Sequence, residues 1–387
     1  MISLAMPLGS KHGWGICGKY LVKELSALTA VRLFTEPFDA ATIGDEFEQV
    51  FLEQFLPTSE QLRQIGSDRM PCPVLQAITN TEMQPYRPGL RGQPTVGYTF
   101  FETNLAVRDF IQAAQTTYDF IVTGSHWCED VLRGYGLKGV TTILQGIDPV
   151  LFYPRNGKKE YFGDRFVVFS GGKLEFRKGQ DLVIRAYKAL QDKYRDVMLV
   201  NAWFNHWGFS LDTMRMSPYI TFQTKAPDYP TLIRGLLAEN GIDLRRVVVL
   251  GPHANTAMPG IYWNTDVGIF PNRCEGGTNL VLMEYMACGR PVIASYSSGH
   301  KDVLTDTNSL VVKTMKPVHI QEGQTQLAIW DDASLDEIIA HLEWAYLHRD
   351  SLSVIGQQAG RDMAQLTWRR CAERFYEVFT KPSASWA

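Results

Sequence analysis

The alternation of short apolar runs with helical patterns constrains the fold more than any other feature of the chain. Runs such as ISLAMPL (2–8), RFVVFSG (165–171) and RPVIASY (290–296) are rich in Val, Ile and Phe, and stretches with helical periodicity separate them. Strands that are buried on both faces and joined by helices form parallel sheets with right-handed crossovers. The sequence therefore predicts an α/β protein. Further strands are predicted at 29–35, 95–100, 118–124, 140–146, 196–204, 245–251 and 265–271.

The chain is long enough for two domains. Its 387 residues exceed what one hydrophobic core usually serves. The stretch GIDPVLFYPRNGKKEYFGD (146–164) carries prolines, glycines and charges, and a new strand-turn-helix unit begins after it. We predict one Rossmann-like domain over 1–150 and a second over 151–365. Segments 36–90 and 204–240 do not fit the alternation and are interpreted as additions to these domains.

Composition argues against several classes of protein. The net charge of −3 gives no basis for general nucleic-acid binding. No apolar run approaches the roughly 18–20 residues that span a bilayer, and the first residues lack the pattern of a signal peptide. The six cysteines form no C-x-x-C pair, so neither a zinc site nor a disulfide framework is predicted. We expect a cytoplasmic protein.

The stretch GWGICG (13–18) follows the first predicted strand and reads G-x-G-x-x-G. In a dinucleotide site such a loop holds the pyrophosphate on a helix N-terminus, and an acidic residue about 20 positions on binds the ribose. Glu36 meets that demand, but four residues separate the strand from Gly13, which makes the loop long. The stretch alone leaves NAD, another phosphate or sugar ligand, and a turn without a ligand equally open.

A basic loop follows the first strand of the second half, in FSGGKLEFRKGQDLVIRAYKAL (169–190). Lys173, Arg177 and Lys178 precede a helix that Gly179 opens. Cations and a helix N-terminus at the carboxyl end of a parallel strand suit a diphosphate. A solvated basic turn is the alternative interpretation.

A second cluster lies in FPNRCEGGTNLVLMEYMACGRPVIAS (270–295). A strand ends at Pro271, and a polar loop leads into an apolar helix that contains Glu284. The glycines permit close backbone approach, and free N–H groups at the helix start can hold phosphate or hydroxyl groups. Glu275 and Glu284 can face one crevice, where a carboxylate accepts hydrogen bonds from vicinal hydroxyls. The alternative for Glu284 is a surface position.

These two stretches together resemble the donor-binding half of GT-B glycosyltransferases, in the large retaining family 4. GGKLEFRKG is similar to its basic loop, and EGGTNLVLMEYMACGRPVI is similar to its E-x7-E motif. TILQGIDPVLFYP (142–154) resembles the linker between its domains. LTWRRCAERFYEVF (366–379) resembles its closing helix, so we expect residues 366–387 to pack back on the first domain. The resemblance implies two Rossmann-like domains with parallel sheets facing a central cleft, with the acceptor on the first and the donor on the second.

The resemblance also implies the activity, a transfer of a hexose-type sugar from a UDP or GDP sugar with retention of configuration. Lys173, Lys178, Glu275 and Glu102 are the catalytic candidates. No Asp-x-Asp follows a strand, and two built-in cations can neutralise the diphosphate, so we expect no metal and no other cofactor. The donor-binding candidates are Gly15, Gly276, Gly277, Thr278, Asn279, Leu280, Glu284, Pro252 and His253.

Three departures from the family pattern bear on these expectations. Eight residues separate Glu275 from Glu284 instead of seven, and Lys173 stands where the family usually has Arg. Many members carry a histidine near the reacting sugar, where TVGYTFFETN has Phe101 and Glu102.

The expected partners are a nucleotide diphosphate sugar and a glycan, lipid-linked or protein acceptor, with no nucleic acid. Contact with the inner face of a membrane is a further expectation. An NAD-dependent oxidoreductase and a non-catalytic sugar-binding protein are the alternatives.

Overall fold

Two parallel six-stranded sheets carry the fold, and a separate two-stranded antiparallel sheet lies beside them. The structure is a computed structural model that describes residues 1–63, 65–66, 68–155, 157–205, 208–223 and 226–380. We call the part built on the first sheet the N-lobe (residues 1–142) and the part built on the second sheet the C-lobe (residues 166–363). The last strand of the first sheet ends at Thr142 and the first strand of the second begins at Phe166, so the predicted boundary near residue 150 lies between them.

The strands of the first sheet have the spatial order β2-β1-β3-β4-β5-β6. They are β1 (Ile2–Ala5), β2 (Val31–Phe34), β3 (Val74–Ile78), β4 (Thr95–Thr99), β5 (Phe120–Thr123) and β6 (Val140–Thr142). The strands of the second sheet have the order β12-β11-β10-β7-β8-β9. They are β7 (Phe166–Gly172), β8 (Val197–Trp203), β9 (Val247–Val249), β10 (Val267–Phe270), β11 (Val292–Ser295) and β12 (Leu310–Val312). The antiparallel hairpin is formed by β13 (Met315–Glu322) and β14 (Thr325–Ala333).

Helices cover both sheets. Those of the N-lobe are α1 (Gly13–Ser26), α2 (Ala40–Ile43), α3 (Glu46–Glu53), α4 (Ser59–Arg63), α5 (Ile111–Thr117) and α6 (His126–Gly134). Those that follow are α7 (Gln180–Lys193), α8 (Tyr229–Glu239), α9 (Met258–Tyr262), α10 (Leu280–Ala287), α11 (Leu335–Leu347), α12 (Arg349–Met363) and α13 (Trp368–Thr380). Short 3₁₀ helices lie at Ala106–Phe110, Phe176–Lys178, Gly208–Met216, Leu244–Arg246, Asn255–Ala257 and Ser298–Asp302.

The strands form because their apolar side chains can be buried on both faces of each sheet. All residues of β1, β3, β4, β5, β10 and β11 are buried. Helix starts are fixed by side chains that accept hydrogen bonds from backbone N–H groups, as when Ser125 Oγ accepts from Cys128 N at 3.2 Å at the start of α6. The carboxyl ends of the parallel strands of both sheets carry the loops that face the other lobe.

Two segments interpreted as additions belong in part to the sheets themselves. β3 lies within 36–90 and pairs with both β1 and β4, so the interpretation of that segment as an addition is wrong for Val74–Ile78. α8 lies within 204–240 and connects the parallel strands β8 and β9, so it is the crossover helix of this pair. Residues 206–207 and 224–225 of the second segment lie outside the described residues.

The chain crosses between the lobes twice, and the two crossings touch. Ile147 N donates to Leu366 O at 2.8 Å, and Trp368 N donates to Ile147 O at 3.2 Å. After the second crossing α13 packs on α1, where Tyr20 and Trp368 stack with ring centroids 5.3 Å apart. The final helix therefore returns to the N-lobe, whereas residues 381–387 of the predicted segment lie outside the described residues.

Among the described residues, no helix has both the length and the apolar character that crossing a membrane would require.

Candidate active site

A cleft of about 640 Å³ lies between the two lobes and is lined by residues of both. The N-lobe contributes the loop after β1 and the residues that follow β4, and the C-lobe contributes the basic loop and the segment before α10. The cleft brings together most of the predicted site residues: Glu102, Lys173, Lys178, Pro252, His253, Glu275, Gly277, Asn279, Leu280 and Glu284.

The basic loop and Glu275 form one cluster of charges. Lys178 Nζ lies 2.5 Å from Glu275 Oε1, and Arg177 Nη1 lies 3.2 Å from Glu275 Oε2. Arg177 also reaches across the cleft to Glu102 of the N-lobe, at 3.3 Å. Lys173 lines the same cleft, but its ammonium group pairs with Glu175 at 3.4 Å. The second cation on Glu275 is thus Arg177.

Charge compensation sets the protonation of this cluster. Burial would raise the pKa of Glu275, but Lys178 and Arg177 outweigh it and lower that pKa to about 2. Burial lowers the pKa of Lys178 and Glu275 offsets only part of that, whereas Glu102, Glu275 and Glu175 outweigh burial and raise the pKa of Arg177. Glu275 is ionised at neutral pH, and it holds two cations at the mouth of the basic loop.

Glu284 lies deeper, on α10. Its side chain is only 4% exposed, so the alternative of a surface position is wrong. Asn255 Nδ2 donates to Oε1 at 2.5 Å, and the Tyr262 hydroxyl donates to Oε2 at 3.4 Å. Burial raises the pKa of Glu284 to about 8, and these two hydrogen bonds lower it only in part. This carboxyl group accepts hydrogen bonds from two uncharged side chains. Such a group suits hydrogen bonding to the hydroxyl groups of an uncharged ring.

A buried ion network joins the basic loop to the segment that carries Glu275. Arg273 is fully buried and forms two 2.9 Å bonds with Asp181, in the first turn of α7. Its Nε donates to Asp332 at 2.6 Å, and its backbone N donates to Arg177 O at 2.7 Å. Bidentate pairing of this kind fixes orientation as well as distance. Arg273 therefore holds the two halves of the charge cluster in one geometry.

The segment between the two glutamates has an uncommon backbone conformation just before α10. Asn279 has φ 65° and caps the helix through its side chain, which accepts from Leu282 N at 3.5 Å. Non-glycine residues rarely adopt this conformation, and Asn is among those that tolerate it best. The loop after β11 presses against the same segment, because a Cβ on Gly299 would lie 1.7 Å from Gly277 O. In this conformation of the segment Glu275 lies beside Lys178.

Three predicted donor-binding residues do not line the cleft. Gly15 packs against the loop after β1, and its N–H donates to His12 Nδ1 at 3.0 Å. The carbonyl of Gly276 accepts from Ser125 Oγ of the N-lobe at 2.6 Å, so this residue joins the lobes. Thr278 is fully buried, with its hydroxyl 2.9 Å from Met283 Sδ. Capping and packing occupy these groups, and the donor-binding role of the three residues stays a prediction.

Glu36, the candidate ribose ligand of the NAD interpretation, does not line the cleft. Its side chain is 69% exposed and pairs with Arg87 at 3.4 Å. The loop after β1 and the start of α1 instead present Lys11, His12 and Trp14 to the cleft. The glycine pattern alone could not distinguish an NAD site from a site for another ligand, because both interpretations place a turn at the end of β1.

Sequence reasoning missed three residues that contact the candidate carboxylates. Arg177 was recognised only as part of a basic loop, since nothing in RKG says which cation faces Glu275. Asn255 and Tyr262 contact Glu284 from the segment after β9, where the sequence pattern indicates only Pro252 and His253. Within the described residues, no group of three or more His, Cys, Asp or Glu side chains is arranged to hold a metal ion.

Comparisons with known proteins match parts of the chain to glycosyltransferases. Residues 224–328 match the family model of glycosyl transferases group 1. The chain is 22% identical, over 55% of its length, to a lipopolysaccharide 1,2-N-acetylglucosaminetransferase of Salmonella typhimurium, of which the alignment covers 48%. It is 28% identical, over 42% of its length, to a GDP-mannose-dependent mannosyltransferase of Mycolicibacterium smegmatis, of which 39% is covered. The chain spans less than half the length of these curated relatives.

Solved structures match along nearly the whole chain. A sucrose-phosphate synthase from Thermosynechococcus elongatus superimposes with a TM-score of 0.70 at 16% identity, covering 98% of both chains. Anabaena HepE in complex with UDP and glucose superimposes with a TM-score of 0.66 at 13% identity, covering 98% of this chain and 99% of the other. The predicted GT-B fold is confirmed, and so is the resemblance to group 1 glycosyltransferases.

Proposed function

We propose that the protein is a glycosyltransferase that moves a sugar from a nucleotide diphosphate sugar to a hydroxyl group of an acceptor. The observation that carries this proposal is the convergence of Lys178, Arg177, Glu275 and Glu284 in one cleft between two nucleotide-binding folds. A solved structure of similar fold, Anabaena HepE, contains UDP-glucose, which supports a donor of this class.

The charges of the cleft fit a diphosphate leaving group. Lys173, Arg177 and Lys178 face Glu102, Glu175 and Glu275 in ion pairs of 2.5–3.4 Å, so three cations balance three carboxylates before a ligand enters. A diphosphate would compete with these carboxylates for the cations. Fixed charges of this kind stabilise the negative charge that develops as the glycosidic bond breaks. This arrangement supports transfer without a metal ion.

The remaining polar groups suit the other parts of the substrates. Glu284 would hold the ribose hydroxyls, near Pro252 and His253 on the base side. Glu275 and the backbone of Gly277 and Asn279 would hold the donor sugar. Glu102 reaches the cleft from the N-lobe, where it would orient the acceptor hydroxyl. Closure of the lobes around the substrates would exclude water and so suppress hydrolysis of the donor.

Nucleotide binding tests the class of ligand. We expect UDP or GDP to raise the melting temperature saturably and NAD to leave it unchanged. Protection by NAD without protection by either nucleotide diphosphate would favour an oxidoreductase. The relatives do not agree on the base, since one uses GDP-mannose and one solved structure holds UDP, so both nucleotides and a panel of their sugars are needed.

Turnover tests whether the protein is an enzyme or a sugar-binding protein. Lys178→Ala and Glu284→Ala are expected to lose transfer by about 100-fold or more while the chain stays folded. Lys188→Ala is the matched control, because Lys188 pairs with Asp192 on the exposed side of α7. Equal transfer by Lys178→Ala and the control would contradict the proposal.

Activity in excess EDTA tests metal independence, and the anomeric configuration of the product tests retention.

A cytoplasmic location, contact with a membrane face and the division into an acceptor domain and a donor domain stay predictions. The acceptor class also stays a prediction, and a screen of glycans, lipid-linked sugars and proteins with the identified donor would test it.

A further inference from the structure

The β13–β14 hairpin belongs to neither parallel sheet, and the sequence pattern did not predict it. Its second strand is anchored to the C-lobe at its carboxyl end. Asp331 N donates to Arg273 O at 3.1 Å, and Ser297 Oγ donates to the Asp331 carboxylate at 2.8 Å. Asp332 receives the Nε hydrogen bond of Arg273. The hairpin is therefore fixed to the same residue that joins the basic loop to the Glu275 segment.

The apolar face of the hairpin packs on the basic loop. Ile320 and Ala328 are buried in one cluster with Phe176, and Trp330 lies against the cluster. Phe176 directly precedes Arg177 in the chain. The Arg273 guanidinium lies over the Phe176 ring, 3.7 Å from the ring centroid. Contacts of this kind restrict the position of the loop that carries Arg177 and Lys178.

The same strand also binds the N-lobe, next to Glu102. Trp330 Nε1 donates to Glu102 O at 2.8 Å. Ile329 N donates to Asn104 Oδ1, and Leu105 N donates to Leu327 O, both at 3.0 Å. Three hydrogen bonds within four residues of the N-lobe make this a defined contact between the hairpin and the segment that presents Glu102.

We propose that the hairpin fixes Glu102 and Arg177 opposite each other across the cleft, and that Trp330 is a positioning residue for transfer. The hairpin contacts Phe176, which directly precedes Arg177, and it contacts Glu102 through the Trp330 indole, so one element touches the segments that carry both partners of the 3.3 Å pair. The backbone of Glu102 is held by Trp330 while its side chain, 31% exposed, stays available in the cleft. This inference rests on the proposed transfer activity.

The variant Trp330→Phe tests the contact, because it keeps an aromatic ring but removes the N–H donor. Trp263→Phe is the matched control, since Trp263 Nε1 makes a similar bond of 3.0 Å to Tyr153 O. Amide exchange of residues 102–105 is expected to accelerate about fivefold in Trp330→Phe and to stay unchanged in the control. Unchanged protection of this segment in Trp330→Phe would overturn the proposal, and this readout needs no turnover.

Kinetics tests the positioning role. We expect Trp330→Phe to lower kcat about tenfold, since misplacement of a reacting group by about 1 Å can cost up to about 100-fold. The KM for the donor and protection by nucleotide diphosphate should stay within about twofold, which separates a failure of this inference from a failure of the proposed function.

A double-mutant cycle separates a role through Glu102 from a structural role. If Trp330 acts through Glu102, Trp330→Phe should have little further effect in a Glu102→Gln background. The same tenfold loss in both backgrounds would overturn the proposal, and so would a kcat equal to that of Trp263→Phe.

Discussion

Replacing Glu284 by Gln is expected to stabilise the empty protein at neutral and alkaline pH, although it removes the proposed ribose ligand. Glu284 is buried with two neutral hydrogen-bond donors, and burial raises its pKa from 4.5 to about 8. Gln has nearly the same shape and no charge. Its amide oxygen accepts from Asn255, and its amide nitrogen can donate to the Tyr262 hydroxyl.

The sign and size of the effect follow from proton linkage. In the unfolded chain Glu284 ionises near pH 4.5, so between that pH and about 8 folding requires the uptake of one proton. The resulting penalty is near zero below pH 4.5 and grows by about 1.4 kcal/mol per pH unit. It levels off above the folded-state pKa, at about 5 kcal/mol. Gln avoids this penalty at every pH.

Melting temperatures from pH 5 to 9 measure the effect. The difference between Glu284→Gln and the parent should increase by about 3–5 °C per pH unit up to pH 8, for a domain of roughly 150–250 residues, and then stay constant. Glu60→Gln, on the exposed side of α4, should show no such trend. A difference that does not change with pH, or that falls as pH rises, would refute the assigned protonation of Glu284.

Two further substitutions test the geometry around Glu275. Arg273→Lys keeps a charge but loses the bidentate pair with Asp181, so the free energy of unfolding should fall by about 3 kcal/mol, and an unchanged urea midpoint would contradict this. Gly299→Ala should lower transfer about 100-fold because its Cβ would displace the Gly277 backbone. Its control, Gly235→Ala, has open space inside α8 and should stabilise the protein by about 0.5–1 kcal/mol with full activity.

Most of the strands could be predicted because burial on both faces of a parallel sheet requires continuous apolar runs. β3 was missed because Gln76 interrupts its run, and only the structure shows how a polar residue is buried there. Its Nε2 donates to Leu90 O at 2.7 Å, and its Oε1 accepts from Arg87 N at 3.0 Å. Leu90 and Arg87 belong to a loop whose position beside β3 cannot be inferred from the sequence. The hairpin was missed because antiparallel strands with exposed polar residues do not follow the α/β alternation.

The candidate site could be predicted in part because the ends of most strands could be predicted. Glycines, cations and carboxylates at the ends of predicted strands indicate which residues gather at one edge of a sheet. They do not indicate which cation meets which carboxylate, because that depends on the packing of side chains around Phe176 and Arg273. The sequence therefore does not indicate that Arg177 is the second cation on Glu275. It also does not indicate that the Thr278 side chain is fully buried.

The paired crossings at Ile147 and Trp368 limit how the two halves of the molecule can separate. One flexible connection would permit sliding, twisting and bending, but two segments tied together by backbone hydrogen bonds act as a common pivot. Rotation about an axis through this pair preserves both bonds, whereas translation would break them. If the lobes open for substrate entry, rotation about this pair is the motion that keeps both bonds, and parts of the rim far from the pair would travel farthest for each degree of rotation.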